Sequence, residues 1–224
     1  MKVLMLSNPY DNIFNQIEIA KKLNFDGIEI VLERETKKMF LEGKLEILKN
    51  ERFIYTFHLD NNYNIFDKKD FKELKDICRN IDSIAVLHLN CKKDLFESFI
   101  KKVKKLKCQN IVVENLDHSI EEINYFLEIS DLNLAFDISH AFSFNNKSKV
   151  FEFIEKSEKR IKHFHLSDCK FFEHSHLPLG NGILPLKDIA KILKKVSKTV
   201  TLELIETEIP EIDYSVSLNI LRSL

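Results

Sequence analysis

The chain has 224 residues, of which 44% are hydrophobic and 31% charged, so it is long enough to bury a substantial core and has an ordinary globular composition. Four Gly and four Pro leave no room for a flexible linker, and we expect one domain over residues 1–224. A formal net charge of −1, with five Arg among 34 basic residues, excludes an overall field that would draw the protein onto nucleic acid or an anionic membrane.

The amino-terminal segment MKVLMLS is typical of a short strand followed by a turn. It is too short for the apolar region of a secretory signal and has no small-residue cleavage site, so we expect a cytoplasmic protein without membrane contacts. The four cysteines show no CxxC spacing, and we interpret them as small buried residues without a function. The sequence carries no signal for an oligomeric state.

Apolar runs of strand length alternate with amphipathic segments of helical period. The predicted strands cover residues 2–8, 25–32, 52–58, 83–89, 109–114, 132–137, 161–166 and 199–205. The predicted helices cover residues 11–24, 35–50, 68–81, 92–107, 119–130, 148–158, 185–197 and 212–224. Eight repeated βα units favour a closed (β/α)8 TIM barrel of the α/β class over an open doubly wound sheet, which usually has five or six strands. A nucleotide fold is disfavoured, because no Gly-rich phosphate loop follows the first strand.

Metal-competent side chains stand at the ends of six consecutive predicted strands. In chain order they are His58, His88, Glu114, Asp137, His165 and Glu203, with His140 and Asp168 just beyond the sixth and seventh strands. The carboxyl ends of barrel strands meet at one mouth, so we expect these groups to converge there. Converging carboxylates repel one another and lose hydration, which a divalent cation would offset. Mixed imidazole and carboxylate ligands favour Zn, Mn, Fe or Co over Ca.

Other polar residues have simpler interpretations. His163 lies two residues before His165 on the same predicted strand, so it also faces the inside of the barrel, one layer deeper. We interpret it as a core residue whose ring is hydrogen-bonded. His118 is interpreted as a solvated residue at a helix start. Glu29 and Glu33 on the second strand either reach the mouth or are solvated. Asp168 either binds metal or orients a ligand, and we favour the second role.

The loop after the seventh strand adds two histidines, His174 and His176, followed by Gly180 and Gly182. Alternate histidines on an extended segment can share one ion. The Gly-Asn-Gly run suggests a tight turn that brings backbone close to a ligand.

Together these segments resemble the xylose-isomerase-like barrel superfamily, which contains sugar isomerases and epimerases as well as endonuclease IV. FDGIEI is similar to the family's second strand, VVEN to its fifth, FDISHA to its sixth, HLSD with HLPLGNG to its seventh, and LELIE to its eighth. The resemblance covers the whole chain, and the seventh-strand pair is its most specific part.

Resemblance to the isomerase branch implies one divalent metal (Zn, Mn or Co) held by four residues: Glu114, Asp137, His165 and Glu203. Glu114 and Glu203 would be the catalytic acid/base pair, moving a proton through an enediolate while the metal polarises a carbonyl. His140 would contact substrate. The arginine that ketose epimerases carry after the seventh-strand histidine is absent, and Lys170 is the nearest cation. We expect Lys170, His88 and His176 to contact substrate as well.

Resemblance to endonuclease IV implies a fuller ligand set around three zinc ions: His58, His88, Glu114, Asp137, His140, His165, His176 and Glu203. The ninth position of that set, usually Asp, is His174 here. Short loops after the first two strands and the neutral charge disfavour DNA. We therefore rank first a metal-dependent isomerase or epimerase acting on a sugar, sugar phosphate or related polyol. A multi-zinc phosphodiesterase ranks second, and one metal is expected, with up to three. A non-catalytic binding barrel is disfavoured because no residue of the four-residue set is lost.

Overall fold

The computed structural model describes residues 1–45, 53–59, 63–170, 173–196, 198–205 and 207–224. Eight strands form its barrel: β1 (Lys2–Leu6), β2 (Gly27–Leu32), β3 (Ile54–Leu59), β4 (Ala85–His88), β5 (Ile111–Glu114), β6 (Asn133–Asp137), β7 (Ile161–Leu166) and β10 (Thr199–Leu202). The barrel is closed in the order β1-β10-β7-β6-β5-β4-β3-β2, and every neighbouring pair is parallel. The predicted (β/α)8 barrel is confirmed.

Helices surround this barrel: α1 (Ile13–Lys22), α2 (Arg34–Leu41), α3 (Lys68–Cys78), α4 (Phe96–Leu106), α5 (Ile120–Ile129), α6 (Ile138–Phe144), α7 (Lys147–Ser157), α8 (Leu186–Val196) and α9 (Pro210–Ser223). The predicted helix over 92–107 divides into a 3-10 turn, Lys93–Leu95, and α4. Part of the helix expected over 35–50 lies outside the described residues. Ser119 begins α5 with a capping box to Glu122, which satisfies two backbone donors at the helix start.

Two further elements lie near the barrel mouth, α6 and an antiparallel hairpin of β8 (Asp168–Lys170) and β9 (Glu173–Leu177). The sequence did not predict α6, because six of its seven residues are buried and it has no polar face to give a helical period. Asp137 begins this helix, its side chain accepting a hydrogen bond from the His140 backbone N–H at 2.7 Å. Asp137 is therefore both a candidate metal ligand and the N-cap of α6.

The main core lies between the barrel and its helices, where outward-facing residues such as Phe164 and Leu166 are fully buried. Three residues form a small apolar cluster that lies inside the barrel on adjacent strands, Val86, Val112 and Ala135. These lie two positions before His88, Glu114 and Asp137, so by strand alternation they share the inward face. No helix in the described ranges is both long and apolar enough to cross a membrane.

Candidate metal centre at the barrel mouth

Four of the predicted strand-end residues converge: Glu114, Asp137, His165 and Glu203, which we call the quartet. Each offers one ligand atom, and these atoms all lie within 4.8 Å of one another. Nδ1 of His165 is 2.9 Å from Oε1 of Glu114 and 2.9 Å from Oε2 of Glu203. All four residues are buried. The convergence follows from parallel strands, whose carboxyl ends meet at one end of the barrel.

Burial and neighbouring charges shift the pKa values of all four quartet residues. Burial raises the pKa of Glu114, but the attraction of His165 and His88 outweighs it and holds that pKa well below its usual value. Burial also raises the pKa of Glu203, yet His176 and His165 bring it down to about 2. Burial and the neighbouring carboxylates raise the pKa of Asp137 despite the attraction of His140. Burial opposes protonation of His165, but in the metal-free site Glu114, Glu29 and Glu203 raise its pKa well above the usual value.

The oxygen atoms of the quartet fit a divalent cation. Oε2 of Glu114, Oδ2 of Asp137 and Oε2 of Glu203 are buried and accept no well-directed hydrogen bond from a described residue. Buried carboxylate oxygens in this state cost free energy unless a positive charge compensates them. Three carboxylates and one imidazole match the donors that Zn, Mn or Co accept.

A second group of possible ligands consists of His58, His88 and Glu114, and a third consists of Glu29, His58 and His165. In each, the ligand atoms again lie within 4.8 Å of one another. Nε2 of His58 is 3.3 Å from Oε2 of Glu114, and Nε2 of His88 is 3.2 Å from the same oxygen. The two oxygens of Glu114 therefore face different groups, Oε1 towards His165 and Oε2 towards the histidine pair. A cation in the quartet and a second cation beside His58 and His88 would therefore share the carboxylate of Glu114.

Two other predicted ligands lie near the quartet. His140 is on α6, with Nδ1 3.4 Å from Oδ1 of Asp117, and its ring centroid is 5.5 Å from that of His176. His176 is on β9, with Nδ1 3.3 Å from Oγ of Ser167. Within the described ranges neither belongs to a three-ligand group. The side chain of His174 lies outside the described part of the chain.

Asp168 accepts hydrogen bonds from backbone N–H groups of its own strand and of the loop after β9. Its Oδ1 accepts hydrogen bonds from the Cys169 and Leu184 N–H groups, each at 3.0 Å, and its Oδ2 accepts one from Gly180 at 2.9 Å. A Cβ on Gly182 would meet Oδ1 of Asp168 at 2.3 Å, so glycine is needed there for this close approach. These bonds anchor the loop, and none of the three reaches a candidate ligand.

Lys170 is exposed on the hairpin. Its ammonium lies 3.3 Å from Oε1 of Glu173, and both side chains are about half exposed. This pairing holds the lysine along the hairpin surface.

Glu29 follows neither of the two possibilities expected from the sequence, because it lies inside the barrel and is fully buried. Its Oε2 accepts hydrogen bonds from the Thr56 and Thr201 hydroxyls, at 3.0 and 2.9 Å, and contacts Nε2 of His163 at 2.8 Å. Its Oε1 is 2.9 Å from Nε2 of His165. The signal available in the sequence was its position between Ile28 and Ile30, which face the helices and leave Glu29 to face inward.

A cavity of about 420 Å³ lies at the mouth beside the quartet. Glu203 and His58 reach it from the barrel, and the loop after β1 supplies Ser7, Asn8 and Asp11. Glu33, which precedes α2, also lines it, as do Glu211 and Tyr214 of α9. No Lys or Arg stands among the lining residues in the described ranges.

Comparison with solved structures gives matches over the whole chain. A D-tagatose 3-epimerase-like protein is 19% identical, with a TM-score of 0.75, and the match covers 100% of this chain and 99% of that one. Endonuclease IV from Thermus thermophilus is 15% identical, with a TM-score of 0.72 and coverage of 100% and 98%. D-psicose 3-epimerase from Clostridium cellulolyticum, solved with D-tagatose, is 13% identical, with a TM-score of 0.72 and coverage of 100% and 99%. These identities establish a shared fold.

No curated protein sequence matches the chain significantly. A family model described as the xylose isomerase-like TIM barrel matches residues 88–224, which carry all four quartet residues and the hairpin. With the closed parallel barrel already described, this match over more than half of the sequence settles the family. The chain belongs to the xylose isomerase-like TIM barrel family.

Proposed function

We propose that the protein is a divalent-metal-dependent isomerase or epimerase that acts on a small sugar or related polyol. The observation that carries this proposal is the position of Glu203. It belongs to the quartet, and it is also the quartet residue that lines the mouth cavity. A molecule bound in the cavity would therefore lie against a carboxylate that is itself part of the candidate metal centre.

A divalent cation held by the quartet would polarise a carbonyl and the neighbouring hydroxyl of a bound sugar. Glu203 is the first candidate for the base, because it is the quartet carboxylate that reaches the cavity. It would accept the proton from the carbon beside the carbonyl, giving an enediolate of the sugar. Glu114, on the buried side of the quartet, is the candidate for the opposite proton transfer. His140 and His176 flank the site as candidate substrate contacts.

The cavity lining favours a neutral substrate. Its volume, about 420 Å³, suits a small ligand. Asp11, Glu33 and Glu211 add carboxylates to that of Glu203, while Ser7 and Asn8 offer neutral hydrogen-bonding groups. An acidic lining repels phosphate groups, so we favour an unphosphorylated sugar or polyol over a sugar phosphate.

A phosphodiesterase similar to endonuclease IV is the second candidate. The observation that favours it is the second ligand group, His58, His88 and Glu114, because two neighbouring cations can stabilise both the attacking and the leaving oxygen of a phosphodiester. The acidic cavity and the chain's near-neutral charge count against a polyanionic substrate.

The two candidates are separated by giving the metal-loaded protein two kinds of substrate. A panel of ketoses and aldoses in D₂O is read by NMR for deuterium at the carbon beside the carbonyl, and a duplex with an abasic site is read for strand cleavage. We expect metal-dependent deuterium exchange with at least one sugar. Glu203→Gln should lower its rate at least about 10²-fold through the lost base.

Glu211→Gln is the matched control, because Glu211 lines the same cavity but lies outside the quartet. We expect it to retain exchange within a few-fold of the wild-type rate. Cleavage of the abasic duplex by protein that exchanges no proton in any sugar would replace the isomerase proposal with the phosphodiesterase.

A further inference from the structure

Beneath the quartet, the inside of the barrel carries a buried hydrogen-bonding layer centred on Glu29. Its members come from four strands, with Glu29 on β2, Thr56 on β3, His163 on β7 and Thr201 on β10. All four are at most 2% exposed. This polar layer occupies the side of the barrel that the apolar cluster of Val86, Val112 and Ala135 leaves open.

One oxygen of Glu29 accounts for most of these contacts. Its Oε2 accepts from the two threonine hydroxyls and faces Nε2 of His163 at 2.8 Å. His163 is held in turn by Thr199, whose Oγ1 lies 2.7 Å from Nδ1. A carboxylate held from three other strands cannot turn away from the barrel axis, so its second oxygen has a fixed position.

That second oxygen, Oε1, points to the imidazole that completes the quartet. It lies 2.9 Å from Nε2 of His165, while Nδ1 of the same ring lies 2.9 Å from oxygens of Glu114 and Glu203. Neither Oε1 nor Nε2 has a well-directed hydrogen bond to any described residue. A small rotation of the ring would join them, since both atoms are buried and already at hydrogen-bond distance.

We propose that Glu29 is a positioning residue for metal binding: it holds the N–H of His165 at Nε2, so that the lone pair of Nδ1 faces the quartet. A neutral imidazole carries one N–H, and the hydrogen bond at one nitrogen decides which nitrogen is left to bind a metal. The inference rests on the proposed function, because it requires that the quartet holds a cation. The buried layer then has a role beyond packing. His163, Thr56 and Thr201 hold the carboxylate of Glu29 in place, and Glu29 in turn orients the metal ligand His165.

The test measures cation affinity in variants of Glu29. Zn²⁺ affinity is obtained by competition with a chromophoric chelator, and Co²⁺ is added separately to read the visible absorption of the bound ion. Glu29→Gln keeps the shape but removes the charge. Glu29→Asp keeps the charge but withdraws the oxygen from His165, which keeps the test valid if the glutamine variant does not fold. We expect each to weaken Zn²⁺ binding by about 10- to 100-fold and to change the Co²⁺ spectrum, with unchanged stoichiometry at saturation.

Ser217→Ala is the control for a general loss of buried hydrogen bonding. Ser217 is fully buried on α9, and its Oγ accepts a hydrogen bond from the Leu179 N–H at 3.0 Å. This variant should lower the melting temperature but keep Zn²⁺ affinity and the Co²⁺ spectrum of the wild type. If Glu29 had a purely structural role, Glu29→Gln and Glu29→Asp would likewise lower the melting temperature and leave the Zn²⁺ affinity and the Co²⁺ spectrum unchanged.

Each remaining outcome has a distinct meaning. Wild-type affinity and spectrum in both Glu29 variants would overturn the positioning role and leave the proposed function standing. Loss of a whole metal equivalent at saturation would make Glu29 a ligand, which also overturns the positioning role. A wild-type protein that binds no Zn²⁺ or Co²⁺ would overturn the metal-dependent function together with this inference.

Discussion

Nε2 of His58 and Nε2 of His88 lie 3.2 Å apart. Their rings are nearly perpendicular, with an interplanar angle of 88°. Both nitrogens face Oε2 of Glu114, so the pair presents two imidazole donors to one carboxylate oxygen. Such an arrangement can hold a proton or a cation between its members.

We predict that this histidine pair binds a second cation. The wild-type protein should contain two metal equivalents after saturation with Zn²⁺ and gel filtration, and His88→Ala should contain one, because the quartet does not include His88. Elemental analysis gives both numbers. His118→Ala is the control, since His118 belongs to none of the candidate ligand groups. A wild-type protein that saturates at one equivalent would leave His58 and His88 as substrate contacts.

We predict that the metal-free protein loses stability as the pH rises from about 6.5 to 9. Burial lowers the pKa of His58, but the hydrogen bond and attraction of Glu114 outweigh it and raise that pKa from 6.5 to about 9. A group with a raised pKa in the folded state contributes stability that is fully present below 6.5 and lost as the pH passes 9.

Urea unfolding in the presence of chelator, at several pH values, measures this loss. One pKa unit corresponds to about 1.4 kcal/mol, so His58 contributes a decrease of roughly 3 kcal/mol. In His58→Gln the decrease in the free energy of unfolding over this pH range should be smaller by about that amount. A free energy of unfolding that increases over this range, or a slope that His58→Gln leaves unchanged, would contradict the assignment.

We predict a preference for unphosphorylated sugars. The carboxylates of Asp11, Glu33, Glu203 and Glu211 line the cavity without a lining Lys or Arg in the described part of the chain, so a phosphate dianion is repelled. Once an active sugar is found, kcat/KM should be at least about tenfold higher for it than for its phosphate ester, a difference of about 1.4 kcal/mol. Glu211→Lys should lower the ratio of kcat/KM for the sugar to kcat/KM for its phosphate ester. A higher kcat/KM for the phosphate ester would show that the acidic lining does not select the substrate.

We predict that His176→Ala mainly raises KM. His176 is on the hairpin and belongs to none of the candidate ligand groups within the described residues, so its removal should leave the metal content of the protein unchanged. Loss of a substrate contact that is equal in the ground and transition states weakens binding with little change in kcat. Steady-state kinetics and elemental analysis on the same sample decide this. Abolished turnover together with a lost metal equivalent would support the endonuclease-type ligand set instead.

The barrel and the quartet were predictable because both follow from strand periodicity. Alternation along β7 placed His165 inward between Phe164 and Leu166, and parallel strands bring their carboxyl ends to one mouth. Knowing which strand ends carried Glu, Asp or His was therefore enough to bring Glu114, Asp137 and Glu203 together. The structure agrees with this expected convergence.

Other features depended on contacts that a single sequence does not encode locally. Glu29 obeys the same alternation, but its environment depends on His163 and Thr201, which are 134 and 172 residues away along the chain. The helix α6 has no amphipathic period because it is buried on nearly all sides. Asp168 resembled a residue that orients a ligand, whereas its hydrogen bonds go to backbone N–H groups of Cys169 and of the loop after β9, whose positions depend on the hairpin geometry.

The long sequence separations around Glu29 bear on how the chain folds. Its hydrogen-bond partners are 27, 134 and 172 residues distant, so the last of them, Thr201, arrives only when β10 docks between β7 and β1. A partial barrel that lacked this strand would enclose a carboxylate with an incomplete set of donors, which is unfavourable in a dry interior. Half-barrel intermediates are thereby disfavoured. Ring closure and burial of Glu29 become one cooperative event, and a fragment that ends before Thr199 should populate an expanded, poorly ordered ensemble.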